Sequence, residues 1–131
     1  MSQFYLDTSA LLTRYHTENG SHFINEIYSH KRNIKELIYT SILSGVEFCS
    51  AIRRKQREKK LSEAEANYIM SAFFIESESI LHAIDVDISI IRSSIRLLSD
   101  HSLRAYDSIQ LASGLEAGKN LSEGNYYFIC D

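Results

Sequence analysis

Phe4-Tyr5-Leu6-Asp7-Thr8-Ser9-Ala10-Leu11-Leu12 is the stretch whose reading decides the fold. Residues 4–6 are a short apolar run of strand character, which ends on a carboxylate and passes at once into a helical pattern of Ala10, Leu11, Leu12 and Tyr15. Thr8 or Ser9 is the expected helix cap, because a short hydroxyl side chain can accept an otherwise unpaired backbone N–H at a helix start. Strand, acid and helix in succession imply an open parallel sheet, in which ligands sit just beyond the carboxyl ends of the strands. Asp7 is therefore a candidate functional residue; the alternative is an Asp-Thr-Ser turn that only caps the helix.

Working outward, Asn19 and Gly20 mark a break, and Phe23, Ile24, Ile27 and Tyr28 predict a helix over 21–30. Leu37-Ile38-Tyr39-Thr40 is a second strand candidate. Ser41 then opens a helix that carries Leu43, Glu47, Ser50, Ala51 and Arg54 on one face. A carboxylate on that face, Glu47, must be paired, protonated or metal-bound, since burying an isolated charge is too costly. Ser62-Glu63-Ala64-Glu65 fits a capping box whose helix is expected to end near Ile75, which makes residues 53–60 the helix-to-helix connection or its flank. Residues 80–84 form a strand candidate, and Asp87 caps a helix bearing Ile88, Ile91, Ile95 and Leu98. Residues 103–112 predict one more helix, stacking Asp107, Leu111 and Gly114 and ending at Gly118. Tyr126-Tyr127-Phe128-Ile129-Cys130 is a final apolar strand that delivers Asp131. The alternation predicts an α/β fold with a mainly parallel sheet covered by helices.

At 131 residues, 44 % hydrophobic and 24 % charged, the expectation is a single globular domain. No apolar run is long enough to span a bilayer, and residues 1–15 lack a secretory pattern, so a cytoplasmic protein without a membrane partner is expected. Cys49 and Cys130 form no C-x-x-C, and the histidines form no close pair at helical spacing, which argues against zinc. A net charge of −3 argues against coating nucleic acid by bulk electrostatics. Yet Arg53, Arg54, Lys55, Arg57, Lys59 and Lys60 place six of the fourteen basic side chains in one run. That run is either a phosphate-contacting patch, with Arg53, Arg54, Lys55 and Arg57 as its candidates, or a solvated helix end.

Asp7 and Asp131 follow strands, while Glu47 and Asp107 lie on helix faces expected to look inward. Converging carboxylates repel, and a hard divalent cation, Mg²⁺ or Mn²⁺, resolves the repulsion and suits phosphodiester hydrolysis. The stretches Leu6-Asp7-Thr8-Ser9-Ala10-Leu11, Ser44-x-x-Glu47, Leu103-Arg104-x-x-Asp107-Ser108-Ile109-Gln110-Leu111-Ala112 and the last strand ending in Asp131 resemble the successive acidic motifs of PIN domains, in particular stand-alone VapC-type toxins. The resemblance covers essentially the whole chain. It implies a three-layer sandwich and a metal-dependent endoribonuclease, usually dimeric, usually held inactive by a small antitoxin protein. It further implies Asp7, Glu47, Asp107 and Asp131 as catalytic metal ligands, with Thr8, Ser9 and Arg104 supporting them. The family commonly carries Ser or Thr two residues before the fourth acid, where this chain has Ile129, and continues past that acid with a helix or strand that a chain of residues 1–131 is expected to lack. The competing expectation is an inactive binding module of the same fold.

Overall fold

The computed structural model describes residues 2–15, 21–30, 38–119 and 124–130. The break at Asn19 and Gly20, the strand residue Leu37 and the terminal acid Asp131 lie outside the described residues. Ten elements follow along the chain: β1 (Ser2–Leu6), α1 (Thr8–Tyr15), α2 (Ser21–His30), β2 (Ile38–Ser41), α3 (Ser44–Arg57), α4 (Glu63–Ile80), β3 (Leu81–Ile84), α5 (Ile88–Asp100), α6 (Ala105–Lys119) and β4 (Asn125–Ile129). All strand pairs are parallel, in the order β3-β2-β1-β4, with Phe4 opposite Ile38 on one side and opposite Tyr127 on the other. The α/β class and the parallel sheet expected from the sequence are therefore present, and the layering is that of helices around a central sheet. No helix among the described residues is long and apolar enough to cross a membrane.

The order has a functional consequence. From β1 the chain steps outward to β2 and β3, then returns to the other side of β1 as β4, so the direction of winding reverses between β1 and β4. Ligands in open α/β sheets bind at such a reversal, beyond the carboxyl ends of the strands. Asp7 leaves β1 there, its N–H donating to the Ile129 carbonyl at 3.2 Å.

Side chains of successive strand residues point to opposite faces, and β1 serves two packing layers this way. Leu6 joins Leu11, Ile27, Ile38, Phe48, Ile52 and Phe73 in the core cluster, where the Phe48 and Phe73 rings stack at 4.0 Å and Tyr15 meets both edge-on. Tyr5, fully buried, instead stacks on Phe128 at 5.0 Å under α6. That contact requires Gly114. A Cβ there would lie 2.5 Å from the Phe128 ring and 3.3 Å from Tyr5. Because Phe128 is held by its stack on Tyr5, Gly114→Ala is expected to destabilise the fold by about 1–3 kcal/mol in urea unfolding, despite alanine's better helix propensity. Unchanged stability would mean that the ring can shift.

Three elements depart from the sequence expectations. The helix expected from Ser41 starts at Ser44 instead, because the Ser41 hydroxyl accepts the Leu43 N–H at 3.1 Å while Ser41 itself stays in β2. Residues 53–57 are the end of α3, the flank of the connection, and only the short turn after Arg57 separates it from α4, with Lys59 at a left-handed φ of 61°. A side chain in that conformation costs about 1–2 kcal/mol relative to glycine, the usual occupant. α4, capped at Ser62 as expected, continues past Ile75 to Ile80. Its extra turn is anchored by Glu76, which takes 2.6 and 2.5 Å bonds from Arg14 and a further one from Tyr15. Finally, α6 runs through Gly118 to Lys119.

Candidate functional site

Asp7 is itself the cap of α1. Its Oδ1 accepts the Ala10 N–H at 3.0 Å and the Ser9 hydroxyl at 2.7 Å. The expected capping role of Thr8 or Ser9 thus passes to the acid, because β1 ends one residue earlier than a hydroxyl cap would need. Asp7 is half-buried, and burial lifts its carboxyl above the ordinary range. The bonds from Ser9 and Ala10 oppose that shift without cancelling it, and the negative charges of Asp107 and Glu47 add to it. Asp7, Glu47 and Asp107 therefore act on one electrostatic field at the winding reversal.

Glu47 enters from the first turn of α3, where it is half-buried, and its Oε1 accepts Thr8 Oγ1 at 3.1 Å and Gln110 Nε2 at 2.8 Å. Gln110 is 96 % buried on α6 and is the residue that reading the sequence for acids misses. Its amide also lies 3.1 Å from both Thr8 Oγ1 and Ser44 Oγ, and its Oε1 accepts the Tyr5 hydroxyl at 2.7 Å. The amide orientation follows from chemistry. Burial raises the Tyr5 phenol pKa, so it stays protonated and donates, leaving the NH₂ group to face the carboxylate. Thr40 extends the network by bonding Ser44 at 2.6 Å and the Leu6 carbonyl at 2.7 Å. Gln110 lies one helical step, i+3, from Asp107 and between Ile109 and Leu111, and a lone amide in that apolar setting is the available sequence signal.

Asp107, expected to face inward, is exposed in the first turn of α6, where it reaches the site through its charge on Asp7. The i+4 and i+7 pattern it shares with Leu111 and Gly114 does not bury it. Arg104 is exposed and meets α6 through its carbonyl, which accepts the Ser108 N–H at 3.0 Å. Asp131, the fourth expected acid, is outside the described residues. Of the basic candidates, Arg54 and Arg57 are exposed, Lys55 is half-buried, and Arg53 bonds Gln56 at 2.7 Å and Asn67 at 3.0 Å.

Three carboxylates and several hydroxyls are oxygen donors of the kind that Mg²⁺ or Mn²⁺ prefers. Asp7 and Glu47 are the residues that could hold such an ion. Among the described residues, however, no group of three or more His, Cys, Asp or Glu side chains is placed to hold a metal ion.

A cavity of about 500 Å³ lies elsewhere, among α1, α2 and α4, lined by Arg14, Asn25, Tyr28 and Glu76. Its charged groups are committed to one another: Arg14 bonds Glu76 and, at 2.8 Å, Asn25, and its guanidinium sits 4.0 Å from the Tyr28 ring centroid. Burial alone would raise the Glu76 carboxyl, but the bonds from Arg14 and Tyr15 hold it below the usual range. That cluster reads as a clamp between helices. No family model matches the chain, and no curated protein matches it in sequence.

Proposed function

We propose that this chain is a metal-dependent endoribonuclease of the PIN type, acting in the cytoplasm as the toxin of a toxin–antitoxin pair, as a homodimer restrained by a small antitoxin. The observation that carries the reading is the Asp7 carboxyl, raised by burial and by the like charges of Glu47 and Asp107 at the reversal between β1 and β4. An uncompensated concentration of negative charge at a ligand-binding position is what a cation would relieve.

A bound Mg²⁺ or Mn²⁺ would polarise the phosphodiester and make an attacking water more acidic. Asp7, Glu47 and Asp107 would be the residues that hold it. Ser9 fixes the Asp7 carboxylate, and Thr8 and Gln110 fix that of Glu47, so the ligands need little reorganisation. Asp131 orients the water and Arg104 offsets negative charge, roles that follow from the resemblance. Attack at phosphorus breaks the bond to the 3′-oxygen, which takes up a proton, leaving a 5′-phosphate and a 3′-hydroxyl. Arg53, Arg54, Lys55 and Arg57 contact the RNA backbone.

The test is calorimetric titration with Mn²⁺ alongside RNA cleavage in Mn²⁺ and in EDTA. Saturable binding, proton release on binding and cleavage only with Mn²⁺ are expected. A second reading, an inactive binding module of the same fold, is favoured by one observation: Glu47 Oε1 is already satisfied by Thr8 and Gln110. Neither saturable heat nor cleavage would leave that second reading in place.

A further inference from the structure

We draw no further inference here: the strongest candidate, the apolar stripe of α5 that leaves Ile88, Ile95 and Leu98 exposed beside Arg92 and Arg96, carries nothing, because nothing in the structure shows what covers it.

Discussion

Asp7→Asn is expected to abolish Mn²⁺-dependent RNA cleavage and, at neutral pH, to make the folded chain more stable. On the nuclease reading the loss of activity should exceed the roughly 10–100-fold typical of residues one step removed from a metal, because Asp7 would be a direct ligand. Asparagine keeps the oxygen that accepts from Ser9 and Ala10, so the helix cap survives. The gain in stability follows from linkage. A carboxyl whose pKa is raised by folding binds its proton more tightly in the folded chain, so stability falls as pH rises from the unfolded-state to the folded-state value. Above that window the charge is a standing penalty, which a neutral amide lacks. Thermal melts without metal should therefore separate parent and variant at pH 7 and bring them together below the window. Adding Mn²⁺ should raise the parent's melting temperature only. An Asp7→Asn protein that cleaves RNA at the parent's rate would falsify the assignment.

Gln110→Leu is expected to cost about 3–5 kcal/mol, lowering the melting temperature by more than about 10 °C. The change removes the Gln110 acceptor of the Tyr5 hydroxyl and a donor from Glu47, Thr8 and Ser44, of which all but half-buried Glu47 are buried. Because an unsatisfied partner is worse than no partner, Tyr5→Phe in the same chain should recover part of the loss. A single-variant cost below about 1 kcal/mol would mean that the amide does not organise Glu47.

Asp7 was legible because strand, acid and helix follow one another within a few residues, so local pattern was enough. The caps at Ser62 and Asp87 were legible for the same reason. Gln110 was not, because its partners Tyr5 and Glu47 lie 105 and 63 positions away and no periodicity reports such a meeting. The continuation of α4 through Glu76 was hidden likewise, since its anchor is Arg14, 62 positions back. Asp107 was placed on the correct helix but the wrong side of the surface: helical spacing tells which residues share a face, not whether each turn of that face is covered.

The central strand β1 has its two neighbours far apart in the chain. β2 is made soon after it, but β4, which pairs from Ser2↔Asn125 to Leu6↔Ile129, is made only after α6. Contacts of such long sequence separation close slowly, and domains emerge from the ribosome N-terminal end first. Asp7 and Glu47 thus exist on the nascent chain well before α6 arrives to supply Gln110, and before β4 gives Asp7 the carbonyl of Ile129. The acidic mouth is a late product of folding, and on the nuclease reading a chain still being translated cannot cut the message or the ribosome that is making it.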